Sequence, residues 1–302
     1  MWQEALGQLY PIAIVFAGIM TKMTMIKSSN MVALYSFGYT KRQLFFPFFV
    51  MSFMIYLLFI GLQTTEFSYA KDKAQAMLED GMRAYALNDL FFIYDGDFVY
   101  AKSLDPIKKE MKMLTLFKLS NNNLLYTIHA KEAKYDGKSW EAEDIIIKRL
   151  VYDESGLKRY KIEHQKHLTT LVGYKPKMIE SIHEGKALNI IDMAKTFQLL
   201  DNQQLNTKKL RSSIYGKLVF PLFSIILLLI LFFKMPFYAR YMNMALVLSI
   251  SLGVTFLFWG LLFAFNQMGR NGVLSPELAI PLPISIGILY ALYIYFLDKE
   301  RI

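Results

Sequence analysis

Two histidines three residues apart, His164 and His167, and two aspartates flanking a glycine, Asp95 and Asp97, come nearest to metal or acid–base chemistry in these 302 residues. Neither pattern carries far. Successive side chains of a strand point to opposite faces, so an odd offset sends the two imidazoles apart, whereas a metal needs convergent ligands. Asp95-Gly96-Asp97 reads as a tight turn, where acids serve local hydrogen bonding more often than proton transfer. Without cysteine the chain offers no thiolate ligand, disulfide or cysteine nucleophile. No P-loop, G-x-S-x-G elbow, H-E-x-x-H pair or glycine-rich dinucleotide turn occurs. The expectation is therefore no catalytic residue, no metal site, no cofactor and no ATP hydrolysis by a familiar route, so that energy for any work comes from another protein.

The elements that hold these residues are dominated by apolar blocks. The composition, 54% hydrophobic and 15% aromatic, is too apolar for an ordinary soluble chain, yet 20% charged residues leave material for an aqueous domain. Leu44 to Leu62 contains no Asp, Glu, Lys, Arg or His, and at about 1.5 Å per residue it reaches across a hydrocarbon core of roughly 30 Å. Met244 to Phe265 and Leu278 to Leu297 are equally clean. Leu218 to Phe233 is shorter and is expected to begin at Ile214, with Lys217 snorkelling or paired. Ala5 to Met20, interrupted by Gln8 and Pro11, is the weakest of the five blocks. This predicts an α-helical membrane protein with an inserted all-β, jelly-roll-like domain. Its parts are an N-terminal bundle over residues 1–65, an extracytoplasmic segment over 66–211 and a three-helix C-terminal bundle over 212–302.

Charge orients the spans. Lys22, Lys27, Lys41 and Arg42 follow the first block without an acid between Thr21 and Gln43, and Lys234 and Arg240 follow the third. Short basic loops stay in the cytoplasm. Lys299 and Arg301 fall on that side when the spans alternate, and the polar insert falls outside. The formal charge of +9 is largely a matter of topology and fits anionic lipid better than nucleic acid, for which no recognition pattern accompanies it.

In the insert, Glu66 to Arg83 reads as a polar stalk helix stopped near Gly81. After it come β-rich runs at residues 90–94, 97–102, 113–119, 123–130, 144–152, 157–162 and 167–172. Between them lie turn signals at Asp95-Gly96, 121–123, Asp136-Gly137 and Ser155-Gly156. Leu114, Leu116 and Phe117 make one run apolar on both faces, which leaves a lipid-lining strand and simple core packing both open. Asn189 to Arg211 reads as helix leading back to the membrane.

Between the first two blocks, Lys27 to Leu44 reads as a short amphipathic helix, capped by Ser29 or Asn30 and ended by Gly38, with Met31, Leu34 and Tyr35 on one face. Such a helix can lie on headgroups or dock into a cytoplasmic partner. Four stretches together, NMVALYSFGYTKRQL (30–44), AKEAKYDGKSWEAED (130–144), YGKLVFPLFSIILLL (215–229) and NQMGRNGVLSPELAIPLP (266–283), resemble the LptF/LptG permease family of the lipopolysaccharide exporter. The first is similar to the family's E-x-x-A-L-x-x-x-G-x-S-x-x-x-L loop and the third to its K-x-x-x-P start of a span.

The resemblance implies a permease subunit of an ABC transporter in the bacterial inner membrane, with its large domain in the periplasm. It implies a homologous permease partner, a cytoplasmic ATPase dimer, periplasmic jelly-roll bridge proteins and lipopolysaccharide as cargo. Carried over residue by residue, it marks Asn30, Met31, Ala33, Leu34, Tyr35, Gly38 and Arg42 as an ATPase-coupling helix, and Lys217 and Pro221 as family-pattern positions. Two departures stand out. Asn30 replaces the family's acid, which shifts any grip on an ATPase toward packing through Leu34 and Tyr35, and the family's first span and its basic residues have no counterpart here. Residues alone leave a second reading, a membrane-anchored sensor or assembly protein with a β-rich binding domain. A membrane-bound hydrolase is disfavoured because no nucleophile and base accompany each other.

Overall fold

The computed structural model describes residues 2–70, 87–106, 108–120, 123–152, 158–184, 188–236 and 243–297. The chain divides into two compact units, one made of residues 1–71 with 206–302, the other of residues 72–205.

The first unit is helical. Helix α1 (Trp2–Lys27) is followed by the short α2 (Asn30–Ser36) and by α3 (Lys41–Thr64), then by a 3-10 turn at Glu66–Tyr69. After the inserted unit come α6 (Lys208–Leu218), a 3-10 turn at Phe220–Leu222, α7 (Phe223–Lys234), α8 (Met244–Arg270), the one-turn α9 (Pro276–Ala279) and α10 (Pro281–Leu297). Among the described residues five stretches are long and apolar enough to cross a membrane: Ala5–Lys27, Lys41–Thr64, Lys208–Lys234, Met244–Arg270 and Pro276–Leu297. The weak first block thus belongs to a full-length helix. Pro11 sits inside α1 and is buried, a placement that membrane-spanning helices tolerate.

The third span is interrupted where Pro221 removes a backbone donor, and the break is closed by side chains. Tyr56 Oη of α3 donates to the Leu218 carbonyl at 2.9 Å, and Ser224 Oγ donates to the Pro221 carbonyl at 2.8 Å. Around the break, Ile12, Val15, Ile19, Phe220, Phe223 and Leu227 form a core with Leu262 and Ile284. Small residues let α6, α8 and α9 approach closely where they meet. A Cβ on Gly269 of α8 would lie 2.8 Å from Ser212 Oγ and 2.9 Å from the Ala279 Cβ.

Among its described residues the second unit carries six strands in one antiparallel meander, in the order β1 (Leu87–Tyr94), β2 (Asp97–Asp105), β3 (Glu110–Ser120), β4 (Asn123–Tyr135), β5 (Trp140–Tyr152) and β6 (Lys158–Thr170). The two runs expected at 157–162 and 167–172 lie mainly on the single strand β6, which ends at Thr170, so Leu171 and Val172 fall beyond it. The expected stalk over 66–83 falls largely outside the described residues, as do the turn at 155–156 and most of that at 121–123. Helices α4 (Pro176–Glu184) and α5 (Ile190–Asn202) follow the sheet, the second capped by Asn189, whose side chain accepts from the Asp192 amide. The sheet's core face carries Leu90, Val99, Ala101, Leu104, Met111, Ala130, Ala133 and Ile145, joined by Ile179 of α4.

Three local devices set the sheet. Asp95 and Gly96, both at positive φ, make the β1–β2 hairpin turn. Asp97 is buried and accepts from Lys118 Nζ at 2.6 Å and from the Leu119 amide at 3.0 Å, so it pins β2 to β3. At the β4–β5 turn, Asp136 Oδ1 accepts from the amides of Ser139 and Lys138, which lower the carboxyl from its ordinary value. The adjacent Trp140 is fully buried, and its indole donates to the Tyr174 carbonyl at 2.7 Å.

Candidate functional site

Helix α2 has seven residues, too few to persist alone in water, so its environment must hold it. Its boundaries are backbone events. Ser29 takes φ 60 at the junction with α1, and Gly38 takes φ +85 after the helix, a value that a glycine adopts without strain. The Gly38 and Tyr39 amides return to the Tyr35 and Leu34 carbonyls. Thr40 then opens α3 with a reciprocal cap, its hydroxyl accepting from the Gln43 amide while its own amide donates to Gln43 Oε1.

One face of α2 is anchored. Met31 is fully buried among Ile26, Leu44, Phe45, Phe232, Phe233 and Ile294, and Leu34 and Tyr35 pack on the same cluster. The face singled out from periodicity, Met31–Leu34–Tyr35, is therefore turned into the bundle. Asn30, Val32 and Ala33 are exposed instead, and Phe37, just past the helix, is 80% exposed with Tyr39 exposed beside it. Phe37 was not singled out in the sequence. Its position four residues after Ala33 and directly before a helix-ending glycine is the signal that could have found it.

The basic residues of this end are not all loop residues. Lys22 lies within α1 and is 1% exposed, its ammonium donating to the carbonyls of Phe232 and Met235, the latter at 3.0 Å. It also stands 4.5 Å from the Phe232 ring centroid. Arg42 lies in the first turn of α3, where Nε donates to the Tyr295 carbonyl at 3.1 Å and a terminal nitrogen donates to the Phe296 carbonyl at 3.2 Å. Its guanidinium is 5.1 Å from the Tyr295 ring centroid.

The remaining predicted residues lie elsewhere. Lys217 is half-buried in the last turn of α6, and Pro221 is buried at the break that follows. Leu114 and Leu116 are buried in the sheet core opposite Ala130 and Ile128, whereas Phe117 falls on the other face, paired across the strands with Phe98. That second face carries Phe91 and Phe98, stacked with centroids 5.3 Å apart and both exposed, and also the exposed Ile162. His129 lies in it, its Nδ1 2.9 Å from Thr115 Oγ1. Burial, and then the charge of Lys148, push the His129 imidazole below its ordinary value. His164 and His167 are both exposed on β6, and among the described residues no three His, Asp or Glu side chains gather as a metal site.

No curated protein matches the chain. The family described as lipopolysaccharide export system permease LptF/LptG matches residues 3–296.

Proposed function

The chain belongs to the lipopolysaccharide export system permease family LptF/LptG, and from that membership we propose how this subunit does its share of the work. As a family member it is a multi-pass inner-membrane component of lipopolysaccharide export, working with partner proteins of the same system, and a transporter part rather than an enzyme. In the proposed mechanism a cytoplasmic ATPase dimer grips α2, the spans of this chain and of a homologous permease squeeze a lipid from the outer leaflet, and the β domain passes it to a periplasmic bridge of jelly rolls. The 66–211 segment is periplasmic in this reading, and the bundles at 1–65 and 212–302 share the membrane.

The observation that carries the mechanical part is the two-sided character of α2. Its Met31 face is fixed in the bundle, while Phe37, Val32 and Tyr39 stand in the open next to Asn30 and Ala33. An exposed aromatic beside a rigidly anchored helix suits a groove on a protein partner, since aromatic anchors dominate such interfaces. Packing through Phe37 then supplies what an acid at position 30 would supply by charge. In the β domain, Phe117 with Phe91 and Phe98 offers acyl chains an apolar surface.

The test is co-purification of the ATPase with the tagged chain and its permease partner, followed by ATP-dependent lipopolysaccharide release from proteoliposomes. The expected result is a stable complex that releases lipid only with ATP. A chain that purifies without any nucleotide-binding subunit and releases nothing would overturn the proposal in favour of the sensor reading.

A further inference from the structure

The last carbonyls of a helix have no partner within it, and its C-terminal end carries partial negative charge. One span of the C-terminal bundle, α7, has that end capped by a cation from the N-terminal part of the chain, and a second cation from the same part reaches carbonyls of α10. Lys22 holds the end of α7 through Phe232 and Met235, and Arg42 donates to the carbonyls of Tyr295 and Phe296 in α10. The two cations bracket α2 in sequence, one before it on α1 and one after it on α3. Between them Met31 of α2 is locked into the cluster that also contains Phe232, Phe233 and Ile294 of those same two spans.

We propose that Lys22 and Arg42 are positioning residues that carry displacement of α2 to the end of α7 and to α10. The inference rests on the functional reading above and deepens it. A push on α2 cannot be absorbed by a hinge at Ser29 or Gly38 alone. The flanking helices are tied to α7 and α10 by hydrogen bonds to backbone, which hold direction as greasy contacts do not. Burial strengthens the Lys22 tie, because an ammonium shut away from water has no solvent to exchange for its two carbonyls. The bundle then answers motion of α2 as a block at this end, and the break at Pro221 takes up the difference toward the other.

The experiment uses the complete transporter in proteoliposomes and reads ATP hydrolysis and lipopolysaccharide release separately. Lys22→Met is expected to keep hydrolysis within about twofold while release falls about tenfold, the scale on which residues between sites alter coupling. Lys22→Arg, which keeps a cation able to donate, is expected to restore release. The chain has no cysteine, so spin labels at Val32→Cys and Lys234→Cys report the α2–α7 distance in the full chain in nanodiscs, independently of transport. That distribution is expected to broaden in Lys22→Met, and the one for Val32→Cys with Tyr293→Cys in Arg42→Gln. Unchanged release in Lys22→Met, an unchanged label distribution, or a loss that Lys22→Arg does not reverse would overturn the inference. Failure of the functional reading looks different: the unaltered chain itself would bring down no ATPase and release no lipid.

Discussion

Phe37 shows what a single exposed side chain can be asked to do. Phe37→Ala is expected to weaken the ATPase complex by about 2 kcal/mol, roughly thirtyfold in Kd, measured by titrating the ATPase onto the permease in nanodiscs. Asp97 belongs to the same scale. Asp97→Ala leaves the Leu119 amide and Lys118 without their acceptor at a buried carboxylate, and should cost about 1–3 kcal/mol, read as faster hydrogen exchange at Leu119 and its β3 neighbours. His129 adds a pH dependence of fixed sign. Its folded value is lowered, so the unfolded chain takes up a proton first as the pH falls. Stability tied to the neutral ring is complete above about pH 6.5 and declines as the pH drops through the folded value. His129→Gln should flatten that acid-side loss in exchange rates across β3–β5. The sequence made Asp97 a turn residue, and the turn is there, but its carboxylate points to a strand whose nearness only pairing reveals. In α2 periodicity found the apolar face correctly, yet could not say that the bundle rather than a partner covers it, because both would select Met31, Leu34 and Tyr35.

At the scale of elements, close approach of backbones decides more than propensity. Gly269→Val puts a side chain where Ser212 and Ala279 already stand, and overpacking of this kind costs about 1–3 kcal/mol. A fall in the detergent melting temperature is expected, whereas the same change at Gly253, which faces open space, should leave it nearly unmoved. The apolar blocks were legible because length and lack of charge suffice to mark them. The ends were less so: α1 runs to Lys27 and contains Lys22, since a lysine can be taken into a bundle when another helix offers it carbonyls. The strand β6 was read as two pieces. It lies at the sheet's edge with mostly exposed side chains, so the alternation that marks a strand fades, and pairing with β5 keeps it continuous.

For the whole molecule, sidedness is the property on which the functional reading turns. A single thiol at Lys138→Cys, in the exposed β4–β5 turn, should react with an impermeant maleimide in intact spheroplasts, and one at Ser36→Cys, exposed at the end of α2, only after permeabilisation. The reverse pattern would place the sheet in the cytosol. The capping of α7 by Lys22 also bears on how the chain is made. Lys22 and Phe232 are 210 residues apart, so at about 5–20 residues per second the ribosome needs roughly 10–40 s to deliver the carbonyls that receive the ammonium. Until α7 emerges from the translocon, the carbonyls that receive this ammonium do not yet exist, and a lysine in an apolar span reaches for the headgroups in their place.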